Sequence, residues 1–399
     1  MLRPKFLNDN CAHVSYSRLE NASRIEKEAE SQIRTQIVER VLLIGTAAEN
    51  QSKSEEKSRG IELVLLPSVK GSVFGKWLSA VGKWPKRIVG SLAYLEFYFR
   101  VLFFLLKAKP KVITCHQLLL LPLCSVSKLL IGCKLVYSPH ELELHRTGLR
   151  GLLWVASFLI EKVFIRTADR LVVVSPPIAA WYEDHYRCAT AFVIPNVPYN
   201  PAKGNDVVPT TLLRSFFSIP KDDLIFLYQG IVDEFRGINE LLDVFTKTTH
   251  DKHLVIMGHG PLVEKVISYS AKWPNIHFKA SVPVREIVTW SSSADIGVFF
   301  SSRKISLSYR YSLPNKFYEY SIAGLFILVS NNFEVQAKIV SEEKLGSTIP
   351  ADVSALATFV NTCDPVEIRS TKLQSRHYRS QQGWQNYDEM FRQIYLFSA

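Results

Sequence analysis

Residues 312–324 read SLPNKFYEYSIAG, and LFILVS follows at 325–330. The second run is apolar and β-rich, so it reads as a buried strand. The first reads as a helix. Ser312 or Asn315 can cap it, Pro314 suits its first turn, and Ala323-Gly324 lets it pack closely on a sheet. A helix that runs straight into a buried strand is half of a parallel α/β unit.

The pattern repeats outward from this stretch. In the second half LIFLYQG (224–230), HLVIMGHG (253–260), NIHFKAS (275–281) and DIGVFFS (295–301) read as strands separated by helix-length segments. In the first half RVLLIG (40–45), IELVLLP (61–67), KVITCH (111–116), KLVYSPH (134–140), RLVVVS (170–175) and AFVIPN (191–196) do the same. AHVSYS (12–17) is the expected first strand, with a charged helix after it. Near-continuous apolar runs of this kind belong to parallel sheets covered on both faces. Residues 196–223 break the alternation with Pro, Asn and Asp and read as a linker. The expected layout is an α/β domain over 1–198, a linker over 199–222, a second α/β domain over 223–380, and an amphipathic helix within 381–399 that returns to the first domain.

The chain has 399 residues and a net charge of +11, which favours anionic partners such as nucleotide phosphates or an acidic lipid surface. Its six cysteines are scattered, none in a CxxC pair, which suits reduced buried thiols and neither a disulfide framework nor a zinc site. The N-terminus lacks the apolar region of a signal peptide. Residues 91–111 are rich in Phe and Leu, but Glu96 and Arg100 interrupt them, so no membrane span is expected. Over 69–111, nine Lys/Arg face one acid and interleave with aromatics. That suits a helix lying on an anionic membrane; a core helix with a basic edge is the alternative.

Ligands of open α/β sheets sit at the carboxyl ends of strands, where helix N-termini point N–H groups outward. Three such ends carry informative residues. After Gly230, a loop holds Arg236 and Gly237: the glycines permit close backbone approach, and Arg offers a charged fork for phosphate oxygens. An ordinary turn with a solvated Arg fits the same residues. GHGP at 258–261 is neither GxGxxG nor a P-loop, and His259 reads as a turn residue. In SLPNKFYEYSIAG the helix N-terminus and Lys316 suit an anion, while Glu319 can accept hydrogen bonds from sugar hydroxyls. Together they fit a diphosphate beside a ribose, although a plain capped helix with a solvated Glu fits as well.

The ordered set YQG-x5-RG, LVIMGHGPL, SSSADIGVFF and SLPNKFYEYSIAG, preceded by KLVYSPHEL, ADRLVVVS and VIPNV, resembles the retaining GT-B glycosyltransferases, family 4 in particular. The likeness runs from about Arg40 to the C-terminus. It implies two doubly wound Rossmann-like domains facing a cleft. It implies that Arg236 and Lys316 hold the donor diphosphate, that Gly230, Gly237, Ser312, Leu313, Pro314 and Asn315 line the donor site, and that Glu319 binds the ribose. His140 matches a histidine facing the donor sugar, and Glu141 beside it would serve the acceptor side. His140, Arg236 and Lys316 are thus the expected catalytic residues, with no metal and no cofactor beyond a UDP- or GDP-type sugar donor.

The sequence departs from that family at two places. Tyr311 stands where the first Glu of the E-x7-E motif belongs, and Ile231 where a basic residue is usual; Lys316, Arg310 or Lys304 could supply the missing cation. The implied activity is transfer of a sugar with retention to a hydroxyl acceptor, a glycan or lipid-linked glycan of the cell envelope, lipopolysaccharide or exopolysaccharide. The implied place is the cytoplasm, on the inner face of the plasma membrane. A catalytically silent GT-B partner and a nucleotide-sugar epimerase of the same shape are the alternatives. The basic stretch carries no nucleic-acid motif.

Overall fold

The computed structural model describes residues 10–19, 23–47, 53–67, 83–199, 209–374, 378 and 381–397. The chain divides into two compact units, Met1–Pro195 with Tyr387–Ala399, and Asn196–Asn386.

The first unit holds an eight-stranded sheet: β1 (Asn10–Val14), β2 (Arg40–Thr46), β3 (Lys53–Ser58), β4 (Ile61–Leu66), β5 (Val112–Cys115), β6 (Lys134–Tyr137), β7 (Arg170–Val173) and β8 (Ala191–Val193). Their order is β3-β4-β2-β1-β5-β6-β7-β8, and every pairing is parallel except that of β3 with β4. Two readings change here. The first strand is NCAHV, not AHVSYS; Ser15 and Tyr16 already belong to the turn that follows. KSEEKS, fully exposed and without an apolar residue, nevertheless forms the edge strand β3. Its ladder to β4 makes it a strand, and its charges blunt the edge.

The second unit holds a six-stranded, all-parallel sheet: β9 (Leu224–Ile231), β10 (Lys252–His259), β11 (Ile276–Ala280), β12 (Ile296–Phe299), β13 (Phe326–Ser330) and β14 (Gly346–Ile349), in the order β11-β10-β9-β12-β13-β14. Strand β14, GSTI, carries too little apolar character to stand out in the sequence and is defined by its pairing with β13. Phe226, Ile256, Val298 and Leu328 form the centre of the core with Leu241 and Phe245 from the helix Ile238–Phe245.

The chain leaves β9 to one side for β10 and crosses to the other for β12, so the topological switch point lies between β9 and β12. The two strands pair only at Ile296↔Phe226 and Gly297↔Leu227. Beyond that, the Tyr320 hydroxyl takes over the ladder: it donates to the Leu227 carbonyl (3.0 Å) and accepts from Gln229 N–H (2.9 Å). Gly297 makes this possible, since a Cβ there would lie 2.4 Å from the Tyr320 ring. The close helix-to-sheet approach expected at Ala323-Gly324 is therefore at Gly297. Gly324 instead ends the helix as its left-handed C-cap.

Residues 200–208 of the expected linker lie outside the described residues. Its later part is ordered structure of the second unit: the helix Leu212–Phe217 buries Leu213, whose N–H donates to Ser293 Oγ (2.9 Å). The terminal helix Asp388–Tyr395 belongs to the first unit, where Arg34 pairs with Asp388 (2.6 Å) and Tyr395 hydrogen-bonds Thr114 (3.1 Å).

Candidate functional site

In the second unit the carboxyl ends of β9 and β12 gather Arg236, Lys316 and Glu319. The helix Asn315–Ala323 delivers two of them, one under each turn of its first half. Pro314 occupies its N-cap, and no side chain caps it. Neither Ser312 nor Asn315 does what the sequence suggested: Ser312 closes the preceding short helix Leu307–Tyr311 and its hydroxyl donates to the Tyr309 carbonyl (3.0 Å), while Asn315 is the first helical residue. Pro314 fits the cap position because its fixed φ and missing N–H cost nothing there. Leu313 is buried and anchors the turn.

Arg236 is held from two sides. Its Nη1 donates to the Tyr309 hydroxyl (2.6 Å), and its guanidinium carbon lies 4.3 Å from the centre of the Tyr309 ring. Asp233 lies 3.8 Å from its Nε. Gly237, next in the chain, opens the helix Ile238–Phe245 at φ +74°. A Cβ there would sit 2.0 Å from the Phe300 carbonyl, so glycine is required to bring Arg236 to the end of β12. Gly230, the last residue but one of β9, is exposed at φ +122°.

The Lys316 ammonium lies over two rings, 4.3 Å from the centre of Tyr228 and 4.5 Å from that of Phe299. Burial, then repulsion from Arg236, lowers its pKa to about 7. The residue keeps some exposed surface, and the ring faces offset part of the cost of its charge, but neither reverses the direction. The charge expected of Lys316 thus belongs to a lysine poised to take up a proton. Of the other candidate cations, Arg310 is paired with Glu334, and Lys304 is exposed.

Glu319 is 8% exposed and accepts from Gln229 Nε2 (2.5 Å); Gln229 Oε1 in turn accepts from Ser291 Oγ (2.6 Å). Gln229 is fixed by its backbone bond to Tyr320, so the carboxylate is oriented through two residues of the switch point. Tyr228, Gln229, Ser291 and Tyr309 were not foreseen. Only Tyr228 and Gln229 left a trace in the sequence, as polar residues at a strand's carboxyl end.

His140 and Glu141 lie in the first unit, after β6. Glu141 is exposed, with Arg146 Nε 3.6 Å from it. His140 Nε2 lies 3.2 Å from His116 Nδ1, and burial lowers its pKa to about 3. Its environment therefore favours the neutral ring.

Two family models match the chain: Glycosyltransferase Family 4 over residues 56–197, and Glycosyl transferases group 1 over residues 223–363. Solved structures match nearly its full length. Anabaena HepE, in complex with UDP and glucose, is 12% identical with a TM-score of 0.68, covering 97% of this chain and 99% of that one. Sucrose-phosphate synthase from Thermosynechococcus elongatus is 16% identical with a TM-score of 0.70, covering 97% and 98%. WaaG, a glycosyltransferase involved in lipopolysaccharide biosynthesis, is 13% identical with a TM-score of 0.64, covering 96% and 98%. At these identities the likeness establishes the two-unit α/β fold. No curated protein matches the chain by sequence.

Proposed function

Because the chain belongs to the family 4-like, group 1 glycosyltransferases of GT-B fold, we propose that it moves a sugar from a nucleoside-diphosphate donor to a hydroxyl acceptor with retention at the anomeric carbon. One observation carries the donor assignment: Arg236, Lys316 and Glu319 meet at the switch point of one sheet, a guanidinium and a proton-accepting lysine beside an oriented carboxylate. Arg236 and protonated Lys316 hold the diphosphate, aided by the N-terminal amides of the helix Asn315–Ala323. Glu319 accepts from the ribose hydroxyls. Ser312, Leu313, Pro314 and Asn315 form the turn against the phosphates, with Gly230 and Gly237 leaving room for them.

In the step itself the bond from the anomeric carbon to the diphosphate oxygen breaks. The acceptor hydroxyl bonds to that carbon on the same face, and its proton passes to the departing phosphate. This requires no metal. Fixed cations already in place stabilise the leaving charge without reorganisation. UDP is the base to try first, since HepE binds it in the same fold. A silent binding partner is the second reading, motivated by Tyr311 in place of the motif carboxylate.

A different surface supports the reading of acceptor and place of action. Three neighbouring helices of the first unit, Lys83–Ala108, Leu121–Ile131 and Leu152–Phe164, leave large apolar side chains outside: Phe99, Phe103, Leu129 and Leu152 are 70%, 73%, 79% and 88% exposed. The helix Leu121–Ile131 has no acid, and the only acid of Leu152–Phe164, Glu161, is buried. Phe99 and Phe103 also border a cavity of about 680 Å³ with Lys107 and with Arg40, Glu62 and Arg100, of which Arg40 pairs with Glu62 and Arg100 with Glu96. An anionic bilayer surface carrying a lipid-linked glycan fits that combination. No helix among the described residues is long and apolar enough to cross a membrane. The basic residues of 69–82 lie outside the described residues, as do the side chains of Lys83, Lys86 and Arg87.

Thermal shift with UDP, GDP and their sugars tests the donor site, since a ligand of the folded state raises its melting point. Stabilisation by one nucleotide, lost in Arg236→Ala and Glu319→Ala, is the expected result. No shift with any of them refutes the assignment.

A further inference from the structure

His13, on β1, and His116, just after β5, flank the switch point of the first sheet, where β1 and β5 are neighbours. Both rings are buried, 1% and 2% exposed, and stack with centroids 5.1 Å apart. His13 Nδ1 lies 2.9 Å from His116 Nε2, and His116 Nδ1 lies 3.2 Å from His140 Nε2. The far end of the row is Gln32, fully buried on the helix Ser23–Arg34, with its Nε2 3.0 Å from His13 Nε2 and its Oε1 at 3.3 Å. Four side chains from four separate segments thus form one continuous file. His140 Nδ1, at its open end, meets no partner among the described residues, and the residue keeps some exposed surface.

A file of neutral imidazoles has only two self-consistent proton orders, because each ring donates at one nitrogen and accepts at the other. Either every ring donates towards His140 or every ring donates towards Gln32. Gln32 approaches His13 Nε2 more closely through its donor Nε2 (3.0 Å) than through its acceptor Oε1 (3.3 Å). In the order this favours, Gln32 donates to His13 Nε2, His13 Nδ1–H to His116 Nε2, and His116 Nδ1–H to His140 Nε2. His140 is then left with its proton on Nδ1.

We propose that Gln32, His13 and His116 are positioning residues: a hydrogen-bond relay that holds His140 as the Nδ1–H tautomer, so that it presents a neutral N–H donor at its free nitrogen. The three rings stay neutral because burial lowers all their pKa values, to about 4 for His13 and about 3 for His140. Other ionisable groups near the file include Glu28 and Arg24, paired with each other at 2.9 Å, Tyr395, tilted against His13 at 6.4 Å, and Cys11; Tyr395 and Cys11 both hydrogen-bond Gln32. A donor N–H suits a sugar or acceptor hydroxyl oxygen; a positive imidazolium would compete for the diphosphate. That use of the free nitrogen rests on the proposed sugar transfer, whereas the relay itself does not.

Long-range ¹H–¹⁵N correlation spectra of the full chain, without ligand, read each ring's tautomer directly. The expected spectrum has His13, His116 and His140 each protonated at Nδ1 and bare at Nε2, unchanged from pH 8 to pH 5.5. The decisive variant is Gln32→Met, which removes the amide without touching His140. It should convert His140 to a mixture of tautomers while circular dichroism and the melting point report a folded protein. Should Gln32→Met fail to fold, His13→Phe, which keeps a ring at that position but removes the donor to His116, should likewise convert His140 to a mixture of tautomers. An Nε2 proton on His140 in the wild type, or a His140 tautomer indifferent to both changes, overturns the relay. So does stoichiometric zinc in the purified protein, since His13, His116 and Glu28 carry ligand atoms within 4.8 Å of one another and a metal would take the relay's lone pairs. Because these spectra need no donor, they stand or fall separately from transferase assays.

Discussion

On the proposed function, Lys316 makes donor binding a proton-linked event. Its pKa is about 7 in the ligand-free protein, against an ordinary 10.5, with burial the largest cause and Arg236 the next. A bound diphosphate reverses both, because it supplies opposite charge at the point where the ammonium is cramped. At pH 8 roughly nine-tenths of the free protein lacks this proton, so binding should take up about 0.9 proton; at pH 6 the uptake should be about 0.1. Affinity should therefore be nearly flat below pH 6 and weaken with a slope approaching tenfold per pH unit above pH 7. From pH 6 to pH 8.5 the predicted loss is about 30-fold, or ~2 kcal/mol. A UDP-sugar is the right ligand, since its diphosphate has no titrating proton in this range. Calorimetry in phosphate and in Tris at equal pH measures the uptake directly, through the difference in buffer heats. Lys316→Arg, always charged, should bind with no such slope. A wild-type Kd that stays level from pH 6 to pH 8.5, with equal heats in both buffers, would refute the reasoning. The same depressed pKa has a stability signature of opposite sense. Between pH 7 and 10.5 the unfolded chain holds the proton and the folded chain does not, so this group's contribution to stability rises with pH across that window.

Three further outcomes follow from particular contacts. Tyr309→Phe removes the hydroxyl that accepts from Arg236 while keeping the ring beneath it, and should weaken donor binding by about 1–2 kcal/mol in titration calorimetry with little change in melting point. Gly237→Ala forces φ +74° on a residue with a Cβ 2.0 Å from the Phe300 carbonyl; chemical denaturation should show a loss of at least ~2 kcal/mol, and a change under 0.5 would mean the turn is not as described. Leu129→Glu with Leu152→Glu should abolish sedimentation with phosphatidylglycerol vesicles and leave UDP-induced thermal stabilisation intact, whereas undiminished sedimentation would remove the bilayer assignment.

Much of the candidate donor site could be nominated from the sequence because its parts lie close to single strand ends. Arg236 and Gly237 follow β9, and Lys316 and Glu319 share one short helix, so local spacing was enough to nominate them. The capping was misread, since Ser312, Pro314 and Asn315 are all competent at that turn and only the path of the preceding helix decides among them. KSEEKS was passed over because an edge strand is defined by its partner, not by its own hydrophobicity.

The order of apolar runs along this chain was sufficient to determine two parallel α/β units and the strand ends where chemistry belongs, because burial on both faces leaves a continuous apolar signature in each strand. Only the tertiary structure decided the state of the groups placed there. The proton of Lys316 depends on rings and a guanidinium from three other segments, and the file from Gln32 to His140 spans 108 positions of sequence. Charge, tautomer and desolvation are set by neighbours in space, and strand orders that bring β9 beside β12 and β1 beside β5 are what make those neighbours.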